Sequence, residues 1–97
     1  MKTLRIHEGA RREVNLATVR YAEGSMPVGR KFRAELLSAL SRAATDPGRY
    51  PSYLHGTPRI LLRKFPYFIV FFDWQDEVYV VAVAHAKRRP GYWRRRA

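Results

Sequence analysis

The chain has 97 residues, which is enough for one domain over residues 1–97 with a modest core and little room for a large enclosed active site. Nineteen lysines and arginines against eight acidic residues give a formal charge of +11, which predicts attraction to polyanions such as DNA, RNA, the ribosome or an acidic protein segment. The absence of cysteine excludes disulfides, zinc–thiolate sites and cysteine nucleophiles.

Two features favour a cytoplasmic protein. Residues 1–14 lack the apolar run of a signal peptide. The longest apolar run, residues 65–72, is interrupted by Pro66 and is far too short to span a bilayer. We therefore expect no membrane association.

The N-terminal half predicts an edge strand and two helices. Residues 4–6 alternate like a short strand, and apolar residues then recur every three or four positions over residues 8–23 and 29–45. Residues 26–29 indicate a turn, and the Asp-Pro-Gly at 46–48 stops the second helix. So short a link predicts an antiparallel helical hairpin. The polar residues of the first helix are assigned to its other faces: Arg11, Arg12, Glu13 and Arg20.

The second half predicts a loop followed by three strands. Residues 49–58 are rich in Pro, Gly and Tyr and indicate a loop, while residues 59–65 and 67–74 predict strands. Residues 78–84 predict a third strand that is apolar on both faces and therefore central. The order predicts an α+β fold: an N-terminal strand, a helical hairpin and a three-stranded antiparallel meander, with the helices packed on one face of the sheet.

The most informative stretch is residues 78–96, where the last apolar strand continues directly into a basic and aromatic segment, residues 86–97. After His85 come six cations and no acid, around a Pro-Gly turn and two aromatic residues: Lys87, Arg88, Arg89, Tyr92, Trp93, Arg94, Arg95 and Arg96. Aromatic residues are unusual in a solvated tail, and arginines are unusual at the end of a core strand. The combination predicts a surface that faces an anion or a partner.

Two motifs occur together in this half of the sequence. The first is R-x3-R-x-F-P-Y-x-I at residues 59–69, and the second is V-V-A-V-A-H-x3-R-P-G-Y-W at residues 80–93. Together with the element order, they resemble the RelE/ParE superfamily of toxins from type II toxin–antitoxin systems. The F-P-Y and the H-x3-R-P-x-Y-W are more similar to the ParE branch. The resemblance covers roughly residues 4–96.

The resemblance implies a small cytosolic toxin whose target the shared fold does not decide. ParE-like members inhibit DNA gyrase and so block replication, which is our leading hypothesis. RelE-like members cut mRNA on the ribosome by metal-independent 2′-OH attack, which is the alternative. A third hypothesis is a basic nucleic-acid-binding or inactivated member of the family without toxicity.

The resemblance also implies a cognate antitoxin as a partner. We expect it to be acidic and partly disordered, with a tail that folds on the toxin as a helix or strand. A homodimer and a toxin–antitoxin hetero-oligomer both stay open. No cofactor is implied, and the three histidines show no metal-ligand spacing.

The nuclease hypothesis assigns catalytic roles to four residues. His85, at the end of the central strand, would be a general acid or base because an imidazole titrates near neutral pH. Arg59 and Arg63 are four positions apart and are expected to leave the same face of their strand, so that with Arg89 they could bind one phosphate. The plainer interpretation is a structural histidine, and arginine stems that cover apolar surface.

The gyrase hypothesis needs only a basic surface with exposed aromatic residues. The candidate cations are Arg88, Arg89, Arg94, Arg95 and Arg96. Tyr92 and Trp93 would be the main contacts, since Trp, Tyr and Arg dominate interface energetics; in a nuclease, one of them would stack on a base. The competing interpretation is a solvated arginine tail with Trp93 in the core. For Trp93 we favour the core.

Overall fold

Five strands and two α-helices make up the structure, a computed structural model that describes residues 1–96. In chain order they are β1 (Thr3–Ile6), α1 (Glu8–Gly24), α2 (Met26–Thr45), β2 (Ser52–Leu54), β3 (Thr57–Leu61), β4 (Tyr67–Trp74) and β5 (Glu77–His85), with 3-10 turns at Pro47–Arg49 and Arg94–Arg96. The strand order in the sheet is β1-β5-β4-β3-β2. β1 runs parallel to β5 and the other neighbours are antiparallel. The predicted α+β fold is confirmed.

The helical hairpin has a tighter link than the sequence predicted. Ser25 alone separates the helices, and its Oγ accepts a hydrogen bond from the Val28 amide at 3.4 Å, which caps α2. The predicted turn at residues 26–29 is instead the first turn of α2. Pro27 fits there because the first turn of a helix leaves its N–H groups without intrahelical partners. Within residues 1–96, neither helix combines the length and the apolar character needed to cross a membrane.

The strands differ from the prediction mainly at β2 and β3. β4 has the predicted bounds, and β5 is one residue longer at each end and lies between β1 and β4, as expected of a central strand. The predicted strand 59–65 is wrong at both ends, since β3 begins at Thr57 and ends at Leu61. The predicted loop contains β2, which pairs with β3 through a turn at His55 and Gly56. Both turn residues have a positive φ, of 54° and 74°.

Different parts of the chain cover the two faces of the sheet. The helices pack on one face over a core that includes Phe32, Leu36, Ile69, Phe71 and Val83. The opposite face is covered by the C-terminal segment, whose Trp93 packs on Phe68, Val70 and Val81. The C-terminal segment is therefore a second layer of the domain.

A β-bulge in β5 decides which of its side chains face the helices. Val70 of β4 pairs with Ala82 and Phe71 pairs with Val80, so Val81 is an extra residue in β5. Val80 and Val83 consequently both lie under the helices, although they are three positions apart.

Candidate functional site

A single carboxylate, that of Glu13 in α1, binds three side chains of the C-terminal segment. Its side chain is 11% exposed. Oε1 accepts hydrogen bonds from the Val83 amide at 2.9 Å and from Nη1 of Arg96 at 3.0 Å. Oε2 accepts from the Tyr92 hydroxyl at 2.6 Å and lies 3.5 Å from Nη1 of Arg88. One buried acid thus joins α1, β5 and three side chains of the C-terminal segment.

These contacts occupy the edge of β5 that no strand covers. β1 pairs only with residues 77–80 of β5. Beyond that point the Val83 amide donates to Glu13, and the Val81 carbonyl accepts from Nη1 of Arg96 at 3.1 Å. Side chains therefore replace the missing strand and keep these backbone groups hydrogen bonded.

The guanidinium of Arg96 lies over the beginning of α1. A Cβ added at Gly9 would lie 2.6 Å from its Cζ, so the glycine provides the space that the guanidinium fills. Arg96 was predicted to bind an anion or a target. In the structure it pairs with Glu13 and is held against the fold, and its binding role stays a prediction.

Two arginines lie over the ring of Tyr92. Cζ of Arg88 is 3.8 Å from the centroid of its ring, and Cζ of Arg96 is 5.1 Å from it, which is favourable cation–π geometry. Burial, and then the hydrogen bond to Glu13 and the charge of that carboxylate, raise the pKa of Tyr92 well above its ordinary value. The hydroxyl therefore remains a donor to Glu13 at physiological pH.

Trp93 is a core residue and not an exposed contact residue. It is 1% exposed, with its ring centroid 5.9 Å from that of Tyr53 and 6.2 Å from that of Phe68. Its Nε1 is buried with no hydrogen-bond partner among residues 1–96. The exposed tryptophan is Trp74, at the end of β4, which lines a surface cavity with Phe72.

His85 ends β5, as predicted, and has structural contacts. Its ring stands edge-on to Tyr67 with centroids 5.0 Å apart, and its Nδ1 accepts a hydrogen bond from the Lys87 amide at 3.0 Å. The same side chain lines a shallow cavity of about 200 Å³ with Arg20 and Arg88.

The three arginines predicted to bind one phosphate with His85 lie in separate places. The guanidinium of Arg59 stacks over the ring of Tyr53 at 3.7 Å, on the face opposite the helices. Arg63 lies beyond the end of β3, where its amide donates to Glu35 of α2. The expectation that both leave the same face of a strand is wrong because β3 ends at Leu61.

Arg89 belongs to a second group of cations around a cavity of about 300 Å³. This cavity lies between the C-terminal segment and the β2–β3 turn, and we call it the basic cavity; its lining is His55, Arg89, Pro90, Gly91, Tyr92, Arg94 and Arg95. Within residues 1–96, no acidic side chain forms an ion pair with its three arginines. The predicted anion-binding arginines therefore divide into two sets: Arg88 and Arg96 pair with Glu13, and the other three lie around this cavity.

Two residues of the site were not predicted. Glu13 was assigned to an outer face of α1, although it lies three positions after Ala10 and four before Ala17, which are both buried. That spacing places Glu13 on the edge of the buried stripe, and this could have indicated from the sequence that its side chain is largely buried. No sequence pattern indicates that His55 belongs to the site, because its position depends on how two loops that are distant in sequence pack together.

In the part of the chain that the structure describes, no group of three or more His, Cys, Asp or Glu side chains could hold a metal ion. No model of a known protein family and no curated protein sequence matches the chain. A chain of the solved structure described as the chromosomal ParDE TA system from P. aeruginosa is similar, with a TM-score of 0.75 and 15% sequence identity, over 88% of this chain and 96% of that chain. At this identity the likeness shows a shared fold, and function has to be argued from the site.

Proposed function

We propose that this protein is a ParE-like toxin of a type II toxin–antitoxin module, which inhibits DNA gyrase and is neutralised by a cognate antitoxin. The observation that supports it best is the fold shared with a chain from a ParDE system over 88% of the sequence. The C-terminal H-x3-R-P-x-Y-W motif supports the same family from the sequence. Fold and motif are separate observations, and they agree.

In this proposal inhibition is a binding event without a chemical step. The C-terminal segment presents a preformed surface, because Glu13 binds three of its side chains and the buried Trp93 fixes it to the sheet. The arginines of the basic cavity, which have no ion pair with an acidic side chain among residues 1–96, would contact gyrase or the DNA that gyrase holds. Charge on a preformed surface gives fast and salt-sensitive association.

The antitoxin would bind in the cytoplasm, where gyrase also acts. Exposed apolar side chains on the helical hairpin, Leu16 and Val19 of α1 and Leu37 of α2, support a protein partner on that side. Because the chain carries +11, an acidic antitoxin tail would be attracted to it over long range.

Ribosome-dependent cleavage of mRNA is the weaker alternative. It needs His85 beside cations that stabilise the charge developing on phosphorus. The predicted arginines, Arg59, Arg63 and Arg89, are dispersed, and Nδ1 of His85 accepts a main-chain hydrogen bond. Of the two arginines that share a cavity with His85, Arg88 pairs with Glu13 and Arg20 has no predicted catalytic role.

A paired assay on the purified protein tests the proposal. We expect loss of DNA supercoiling by gyrase and intact mRNA on programmed ribosomes. Replacing Arg89, Arg94 and Arg95 by alanine should abolish the inhibition, whereas His85→Ala should retain it. Cleaved mRNA together with normal supercoiling would contradict the proposal and make His85 catalytic.

A further inference from the structure

The basic cavity has a fixed shape because two turns pack against each other. Gly91 adopts a φ of 79°, and a Cβ there would lie 2.8 Å from Nε2 of His55. His55 itself has a φ of 54° in the β2–β3 turn. Any larger residue at position 91 would therefore be strained and would collide with the imidazole. The close approach of these turns brings a histidine into a group of arginines that is distant in sequence.

The arginines of this cavity are available to a ligand. Arg89, Arg94 and Arg95 are exposed, and within residues 1–96 no carboxylate side chain pairs with them. Glu13, which contacts this segment, already binds Arg88, Tyr92 and Arg96. No acidic side chain within residues 1–96 therefore neutralises these three guanidiniums, and an anion that accepts several hydrogen bonds would be bound by them.

We infer that the basic cavity binds a backbone phosphate of a nucleic acid. A guanidinium can donate two parallel hydrogen bonds to two non-bridging oxygens of a phosphate. Neighbouring phosphates of the same strand can bind the remaining arginines. His55 lines the same cavity. The inference rests on the proposed role of the C-terminal segment as the target-facing surface, and it makes the DNA bound to gyrase a direct contact of the toxin.

The chemistry of the lining favours a nucleic acid over an acidic protein segment. Apart from Pro90, Gly91 and the ring of Tyr92, the lining is cationic or carries imidazole. Interfaces with nucleic acid are more polar and much more positively charged than those between proteins, whose affinity comes largely from buried aromatic and apolar residues. Such residues are exposed elsewhere, on the helices and at Trp74.

The test measures binding of fluorescently labelled mixed-sequence oligonucleotides by anisotropy, without gyrase, over a range of salt concentrations. Duplex DNA, single-stranded DNA and RNA form separate arms. Replacing Arg89, Arg94 and Arg95 by alanine should weaken binding at least about tenfold. The salt slope should fall by about one for each phosphate that the variant no longer neutralises.

The matched control removes three cations from the opposite side of the molecule. Arg42, Arg63 and Lys64 line a groove beside α2, and the contacts of Arg63 and Lys64 with Glu35 use their main-chain amides, which survive substitution. The R42A/R63A/K64A variant should bind within about threefold of wild type. Equal losses of affinity in the two triple variants would mean diffuse electrostatic attraction and would overturn the inference.

The His55→Asn variant distinguishes binding at the cavity from a general effect of net charge. Asparagine tolerates the left-handed turn, so the backbone is kept while the imidazole is removed. We expect binding several-fold weaker with an unchanged melting temperature. Wild-type affinity in this variant, or displacement of DNA by poly-glutamate as effectively as by unlabelled DNA, would contradict a phosphate site. Unchanged DNA binding in the arginine triple variant, together with lost gyrase inhibition, would refute this inference and leave the proposed function standing.

Discussion

At the scale of single residues, Glu13 decides how the C-terminal segment is placed. Removing a carboxylate from water costs several kcal/mol unless partners compensate it. Here an amide, a hydroxyl and two guanidiniums surround it, and the strand edge that it covers would otherwise leave the Val83 amide unpaired. Because Arg88, Tyr92 and Arg96 all contact this one carboxylate, a single substitution should loosen the segment as a unit.

We predict that Glu13→Ala lowers the free energy of unfolding by about 2–4 kcal/mol, because the Val83 amide and the Tyr92 hydroxyl lose their acceptor while the partly exposed guanidiniums stay solvated. Glu13→Gln keeps one acceptor oxygen and should cost less, about 1–3 kcal/mol. Urea unfolding measures both values. Trypsin should also cleave the C-terminal arginines faster in the alanine variant.

Glu23 provides the control, since it is an exposed glutamate near the end of the same helix. Glu23→Ala should leave both the urea midpoint and the trypsin pattern close to wild type. If Glu13→Ala behaved in the same way, the segment would be held by Trp93 and not by the carboxylate.

At the scale of elements, the sequence predicts an element well when local chemistry sets its ends. β4 is bounded by Pro66 on one side and a polar turn on the other, and its predicted limits are correct. The start of α2 was missed because Pro27 indicates a turn as readily as it indicates a first helical turn. The bulge at Val81 has no signal, since residues 80–84 are apolar on both faces and alternation gives no register.

The contact between the two helices leads to a prediction on a pair of glycines. A Cβ at Gly29 would lie 2.8 Å from the Cβ of Ala22, whereas Gly24 has open space around its Cβ position. Gly29→Ala should force the helices apart and destabilise the protein by about 1–3 kcal/mol. Gly24→Ala should be neutral or stabilising by up to about 1 kcal/mol, because alanine favours a helix.

Thermal unfolding of both glycine variants, followed by circular dichroism at 222 nm, measures the difference. A melting temperature for Gly29→Ala equal to or above that of Gly24→Ala would show that the hairpin relaxes at no cost, and the close approach would not matter.

At the scale of the whole molecule, the candidate site was predicted as a segment but not as an arrangement. The run of arginines after His85 was visible, yet its division into a bound and a free set depends on contacts over most of the chain. Arg96 and Glu13, for example, are 83 positions apart. The separation of Arg59 from Arg63 likewise follows from where β3 ends, which no local pattern indicates.

The net charge of the whole chain leads to the last prediction. A domain of this size with a formal +11 repels itself in the compact state, and few of its cations have partners among residues 1–96. Because the Debye length falls from about 30 Å at 0.01 M to about 8 Å at 0.15 M salt, screening should relieve this repulsion. We therefore expect the melting temperature to rise between 0.01 and 0.15 M NaCl, by less in the R89A/R94A/R95A variant than in wild type. The Glu13–Arg96 pair, whose side chains are 11% and 21% exposed, is partly shielded by burial and should weaken less than the exposed ion pairs over this range. A melting temperature that falls as salt is added would mean that exposed ion pairs outweigh the repulsion, and that the basic surface imposes no cost on folding.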